Sequence, residues 1–160
     1  MVFPASYRDA GQIGRSKYFL EFYDILNRSM DKKYLVMVVE DEKLLLQAIL
    51  RKLELAGFEV EGFSDGNLAL DRLKPKDKLP DLIWLDYYLG DLTGDVFLRS
   101  MKEILGKEYW IPVMVVSNSA SPQKVEETLK GGADKYFLKA EHKLEDLVGI
   151  AKEMVGNKTE

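Results

Sequence analysis

The sequence predicts a doubly wound α/β domain, in which five parallel strands alternate with five helices that cover both faces of the sheet. Two observations carry that expectation. From residue 34 onward, short apolar runs alternate five times with longer stretches whose apolar residues recur at helical spacing. Four of the five runs also end abruptly on polar residues: Glu40-Asp41-Glu42, Asp86, Ser117 and Lys139. Parallel strands bring such ends to one edge of the sheet, which is where open α/β sheets place their chemistry.

Taken in order, YLVMVV (34–39) is a continuous apolar run rich in β-branched residues and reads as a buried strand. In the next stretch Leu46, Ile49, Leu50 and Leu53 fall on one helical face, and Gly57 stands where a helix C′ residue belongs. FEVEGF (58–63) alternates like a half-exposed strand. Ser64 is the expected N-cap of a short helix through Leu73, and PKDKLP (75–80) is a loop. DLIWLD (81–86) is the third strand. A helix from about Asp95 to Ile104 follows, with Val96, Phe97, Met101 and Ile104 on its apolar side. IPVMVVS (111–117) is the fourth strand, and Ser121-Pro122 marks an N-cap and N1 pair opening a helix to about Lys130. GGAD (131–134) turns into KYFLK (135–139), and Leu144 to Val155 closes the domain as a helix. Pattern alone does not fix the strand order.

Composition narrows the classes. The 160 residues are 46% hydrophobic and 31% charged, as a soluble globular domain requires. The net charge of −4 argues against direct nucleic-acid binding. With no cysteine, disulfides, thiolate catalysis and Cys-ligated zinc are excluded. No apolar run reaches membrane-spanning length and the N-terminus lacks a signal-peptide core, so no membrane is expected and a cytoplasmic location is the default.

Residues 1–32 stand outside the rhythm as an extension before a domain at 33–156 and a tail at 157–160. Phe19, Phe22, Tyr23 and Leu26 lie at i, i+3, i+4, i+7, which predicts an amphipathic helix over about 15–29. Its apolar face would pack on the domain or on a second copy, making a homodimer one expected partner. A plainer reading takes Met30 as the natural start and residues 1–29 as a non-native stretch.

The strand ends themselves suggest chemistry. Glu40, Asp41 and Asp86 would gather about three negative charges, with Glu42 near the rim, and like carboxylates raise one another's pKa unless a cation intervenes. Lys139 supplies one positive charge, and a hard divalent cation such as Mg²⁺ suits the remaining oxygen donors. Such a site suits phosphoryl transfer, with Asp86 as nucleophile, Lys139 offsetting phosphoryl charge and Ser117 donating a hydrogen bond. Taken singly, an acidic run is a solvated helix start, a serine a cap and a tyrosine a core residue. The lone histidine, His142, reads as a surface residue.

VVEDE after the first strand, LDYYLGDLTG around Asp86, VVSNS after the fourth strand and YFLK on the fifth together resemble the receiver domain of response regulators, the CheY-like module of two-component signalling. The match covers about residues 33–156. The resemblance implies strand order 2-1-3-4-5, the flavodoxin-like arrangement. It implies that Asp86 is the phosphoacceptor, Asp41 a direct Mg²⁺ ligand, Glu40 its acidic partner and the Tyr88 backbone carbonyl a further ligand. Lys139 would contact the phosphoryl group, and Ser117 with Tyr136 would form the switch. Gly94 matches the glycine that closes the loop after the phosphoacceptor.

Four positions depart from the family's pattern. Ala140 follows Lys139 where proline is usual, so a trans peptide is expected. Asn118 replaces a small residue and would narrow access to Asp86. Gly90 stands where proline is frequent, which predicts a more mobile loop. Tyr88 and Ser119 match positions that govern attack of water on the acyl phosphate, and Tyr88 would shield it.

The reading is therefore a stand-alone receiver, since only GNKTE follows the last helix. It would be no enzyme in the ordinary sense, but a phosphoacceptor that assists its own phosphorylation and dephosphorylation. Its partners would be a histidine kinase or phosphotransfer protein and a downstream protein target on the face of the fourth helix, fifth strand and fifth helix. A phosphorelay intermediate is a variant of this reading. The alternative is a pseudo-receiver that signals without phosphorylation. A nucleotide or flavin binder fits poorly, because no G-x-G-x-x-G or G-x-x-x-x-G-K-[ST] is present.

Overall fold

The computed structural model describes residues 33–156. The helix expected at about 15–29, dimerisation through it and the tail at 157–160 fall outside the described residues. Strands β1 (Leu35–Val39), β2 (Glu59–Phe63), β3 (Leu82–Asp86), β4 (Val113–Ser117) and β5 (Lys135–Leu138) form one parallel sheet in the order β2-β1-β3-β4-β5. Helices α1 (Lys43–Leu55), α2 (Gly66–Leu73), α3 (Gly94–Leu105), α4 (Pro122–Gly131) and α5 (Leu144–Gly156) alternate with them. This is the flavodoxin-like order that the resemblance implied.

β1, β3 and β4 are buried along their whole length, which explains why their sequences are apolar without alternation. Neighbouring residues serve opposite layers. Val36, Val38, Leu82, Trp84, Met114 and Val116 pack under α1 and α5, against Leu46, Ile49, Leu53, Leu147 and Ala151. Met37, Val39, Ile83, Leu85, Val113 and Val115 face the other layer, against Ala69, Leu73, Phe97, Leu98 and Met101. Leu98, not Val96, belongs to the buried face of α3. Val96 is exposed, because the start of α3 turns that position outward.

The register sets the site. Val39 pairs with Leu85, so Glu40 emerges level with Asp86. Asp86 pairs with Val116, and Ser117 with Leu138, so the other polar ends follow at the same edge. At the opposite edge two aspartates secure the strand starts by reciprocal bonds. Leu35 N–H donates to Asp81 Oδ2 at 2.9 Å and Val113 N–H to Asp134 Oδ2 at 2.8 Å. The amides of Asp81 and Asp134 return bonds of 2.8 Å to the carbonyls of Leu35 and Val113.

Helix ends follow the sequence with one correction. Gly57 adopts φ +97° just after α1, a conformation that glycine takes without a Cβ clash. Ser121 caps α4, accepting from Lys124 N–H at 3.2 Å. The cap of α2, however, is Asp65 and not Ser64. Asp65 Oδ1 accepts from Leu68 N–H at 2.9 Å, and Asp65 holds the extended backbone that an N-cap needs. Both residues are good caps by type, so type alone could not choose between them. Asp65→Ala should lower stability by about 1 kcal/mol in urea unfolding, whereas Ser64→Ala should change it by no more than a few tenths.

Candidate functional site

Asp86, the last residue of β3, is 4% exposed, and Glu40, one residue past β1, is 1% exposed. Two buried carboxylates at one sheet edge need a cation. Lys139 supplies it, its Nζ donating to Glu40 Oε2 at 2.8 Å and to Asp86 Oδ2 at 3.0 Å. The lysine backbone is fixed too. Lys139 N–H donates to the Ser117 carbonyl at 2.8 Å, carrying the β4–β5 pairing one residue beyond β5.

One ammonium cannot fully offset two carboxylates. Burial pushes Glu40 up to about 7, against the lowering hydrogen bond from Lys139, and the charge of Asp86 adds to the rise. Burial alone would lower Lys139, but its bonds to Glu40 and Asp86 prevail and hold it above the ordinary lysine value. The lysine therefore stays charged, and Glu40 takes up a proton more readily than an ordinary carboxylate.

Asp41 is exposed, beside this pair. One carboxylate oxygen from each of Glu40, Asp41 and Asp86 lies within 4.8 Å of the others. Three hard oxygen donors, short of positive charge, fit a divalent cation such as Mg²⁺. The Tyr88 carbonyl, the fourth expected donor, sits on the adjoining loop. There Tyr88 bridges to Thr93 through the Tyr87 carbonyl and Leu89 amide, and its own carbonyl takes no part in those bonds.

The loop from β3 to α3 is tied down at several points. Asp86 Oδ1 accepts from Tyr88 N–H at 3.4 Å, and Gly94 N–H donates to the Tyr87 carbonyl at 2.7 Å. A Cβ on Gly94 would stand 3.2 Å from Tyr87 Cα and 3.1 Å from its ring, so glycine permits this close return. Asp91 fastens the loop to the start of α2. It accepts from Gly66 N–H at 3.0 Å, Asn67 N–H at 2.8 Å and Asn67 Nδ2 at 2.8 Å. Partial burial works against its charge, yet these bonds keep its carboxyl below the ordinary value. Gly90 precedes this tie by one residue.

Of the expected residues, Glu40, Asp41, Asp86 and Lys139 come together directly. Ser117 is fully buried at the end of β4, its Oγ accepting from Ser119 N–H at 3.4 Å. Tyr136 donates to the Ser119 carbonyl at 2.7 Å, so its hydroxyl is engaged beside Ser117 and not with it. No cis peptide occurs among the described residues, and Lys139–Ala140 is trans as expected. Asn118 is exposed just past Ser117.

Sequence reading missed Lys124 and Asp95. Lys124 Nζ bonds the Tyr88 hydroxyl and Ser119 Oγ, the latter at 3.1 Å, and lies 4.5 Å from the Tyr88 ring centroid. Asp95 accepts from Thr93 Oγ1 at 2.6 Å and from the Tyr87 hydroxyl at 3.3 Å. Burial and then Asp95 push the Tyr87 hydroxyl up to about 12. Only the loop contacts distinguish these two charges from ordinary solvated helix starts, and sequence spacing does not record them.

The raised Glu40 carries a pH signature. The folded state binds its proton more tightly than the unfolded chain, so metal-free stability falls as pH rises from about 4.5 to about 7. The shift corresponds to roughly 3 kcal/mol as an upper figure. Glu40→Gln should remove most of that slope and leave the metal-free variant more stable than wild type at pH 8, by urea titration. An unchanged slope would assign it to other groups.

With the site described, relatives become informative. Residues 36–152 match the family model of the response regulator receiver domain. The chain is 33% identical over 132 residues to the two-component response regulator ARR21 of Arabidopsis thaliana, covering 82% of this chain and 21% of that protein. It is 33% identical over 115 residues to the cell cycle transcriptional regulator CtrA of Caulobacter vibrioides, covering 72% of this chain and 48% of that one. It thus spans half or less of these relatives. Among solved structures, the receiver domain of the Francisella response regulator 1452 superposes with a TM-score of 0.70 at 25% identity, covering 79% of this chain and 100% of that one. A CheY-like receiver from Methanospirillum hungatei JF-1 shares the fold with a TM-score of 0.70 at 24% identity, over 79% and 96% of the two chains. No helix among the described residues is long and apolar enough to cross a membrane. The parallel sheet, the polar strand ends at one edge and the matched residues together show that this chain belongs to the response regulator receiver domain family.

Proposed function

We propose that the chain is a phosphoacceptor module whose Asp86 takes a phosphoryl group from a histidine kinase or phosphotransfer protein and passes the event to a downstream protein. The observation that carries this reading is Lys139, bound at once to the buried carboxylates of Asp86 and Glu40 with Asp41 alongside. A lysine used only for structure would not need a third carboxylate at its side.

In the proposed reaction an Asp86 carboxylate oxygen attacks phosphorus. The bond from phosphorus to the donor breaks, and the donor leaves with its electron pair. Glu40, Asp41, Asp86 and the Tyr88 carbonyl would hold Mg²⁺, which supplies neutralisation of charge on the phosphoryl oxygens. Lys139, already at Asp86, turns its ammonium to a phosphoryl oxygen. Ser117 rotates to donate its hydroxyl to another, leaving its contact with the Ser119 amide. Because Tyr136 is bonded to the Ser119 carbonyl, movement of that loop shifts the tyrosine as well. Reversal is hydrolysis: water attacks phosphorus, the bond to Asp86 breaks, and phosphate leaves the regenerated carboxylate.

The output face on this reading is α4, β5 and α5. Of the 10 residues of α4 only Thr128 is buried, so little apolar packing resists its displacement. Phosphorylation would shift an existing equilibrium of that face toward the partner-binding state.

Acetyl phosphate with Mg²⁺ should add one phosphoryl group by intact mass spectrometry. The adduct should be absent without Mg²⁺ and absent in Asp86→Asn. No adduct from acetyl phosphate or from a histidine kinase would favour a pseudo-receiver. The lifetime of the adduct should depend on Tyr88, which Lys124 holds beside the site. Tyr88→Asn should hydrolyse several-fold faster than wild type, and equal rates would remove the shielding role.

A further inference from the structure

Lys124 stands in the first turn of α4, half-buried on a helix with one buried residue. Its ammonium is spent on two loops. Nζ donates to the Tyr88 hydroxyl, on the loop after β3, and to Ser119 Oγ, on the loop after β4, at 3.1 Å. It also lies 5.0 Å from the ring centroid of Tyr87 and 4.5 Å from that of Tyr88. Those two rings meet edge to face at 5.0 Å. The base of the lysine is fixed as well. Its N–H donates to Ser121 Oγ at 3.2 Å, and its carbonyl accepts from Thr128 Oγ1 at 2.8 Å.

Asp86 and Ser117 end the neighbouring strands β3 and β4, so the loops that Lys124 joins are the two that leave from either side of the acceptor. We propose that Lys124 is a positioning residue, which pins the Tyr88 side chain across these loops and thereby slows hydrolysis of a phosphoryl group on Asp86. The inference rests on the phosphoacceptor reading and adds what controls the lifetime of the adduct. In the step concerned, water attacks phosphorus in line with the bond to Asp86, that bond breaks, and inorganic phosphate leaves. A ring held in one place obstructs that approach, whereas a ring free to swing does not. Tyr88 is 48% exposed, and an exposed side chain without a partner changes rotamer in picoseconds to nanoseconds. Lys124 removes that freedom in two ways, by bonding the hydroxyl and by setting a cation against the ring. Asp91 already fastens the backbone of this loop, so the side chain is what Lys124 is left to set.

The test compares the full chain with Lys124→Met, Tyr88→Phe, the double variant and Lys124→Arg. Each is phosphorylated with acetyl phosphate and Mg²⁺, desalted, and followed by intact mass as the adduct decays. Lys124→Met should shorten the lifetime several-fold. Tyr88→Phe keeps the ring and loses only the bonded hydroxyl, and it should shorten the lifetime too. The double variant should decay no faster than Lys124→Met, because both changes break one contact. Lys124→Arg keeps the cation and its donors and should restore much of the lifetime. The proposal is overturned if Lys124→Met decays like wild type, if the two effects multiply, or if arginine rescues nothing. A second measurement needs no phosphate. Three-bond NMR couplings from the backbone nitrogen and carbonyl carbon to Tyr88 Cγ should report one χ1 rotamer in wild type and averaging in Lys124→Met. Averaging already present in wild type would overturn the clamp. Absence of any adduct on wild type would count against the phosphoacceptor reading instead, and the couplings would then decide the clamp by themselves.

Discussion

Lys139 stands 2.8 Å from Glu40 and 3.0 Å from Asp86, and without its ammonium those two carboxylates could not stay buried and ionised together. Much of the surrounding architecture serves that contact. The lysine lies one residue beyond β5, an edge strand, and reaches across β4 to the ends of β3 and β1. Its backbone bond to Ser117 fixes the origin of that reach. The charge balance is deliberately incomplete in chemical terms: Glu40 takes up a proton near neutrality in the absence of a further cation. A site in this condition gains from any additional positive charge, which is the property a cation-dependent phosphoryl acceptor requires.

The sheet makes this arrangement possible because its three inner strands are apolar on both faces up to their final residues. Chemistry is confined to the ends, where burial stops. One register error would turn Asp86 away from Glu40, since neighbouring strand residues face opposite layers. Asp81 and Asp134 guard the register from the far edge by pairing with the first residues of β1 and β4. Asp91 does the equivalent for the loop after Asp86, tying it to the start of α2. Rigid strand ends thus meet a fastened loop on one side. On the other lies α4, of whose residues only Thr128 is buried.

Much of the fold was legible in the sequence. Strands buried on both faces leave unbroken apolar runs, and their abrupt polar ends marked Glu40, Asp86, Ser117 and Lys139 as one edge. Strand order was not in the pattern, because a βαβ unit does not say on which side the next strand docks. It came from the family resemblance. The residues that escaped, Lys124, Asp95 and the capping Asp65, act through geometry that spacing does not encode. Lys124 matters because the β3–α3 loop brings Tyr88 to the first turn of α4, 36 residues away in sequence. Val96 was misplaced for a related reason: it and Leu98 flank Phe97 at about 100° on either side, and spacing alone does not say which flank is covered. Asp91 was likewise not singled out, although its three bonds tie the loop to α2 one position after Gly90.

The central claim is that the carboxylate held by Lys139 is the one that receives the phosphoryl group. Borohydride reduction of the protein treated with acetyl phosphate and Mg²⁺ converts an acyl phosphate to an alcohol, and peptide mass spectrometry then locates it. The account predicts homoserine at position 86 alone. Modification at Asp41, Asp91 or Asp95 with Asp86 intact would contradict it, and would make the Lys139 pair a structural ion pair beside some other acceptor.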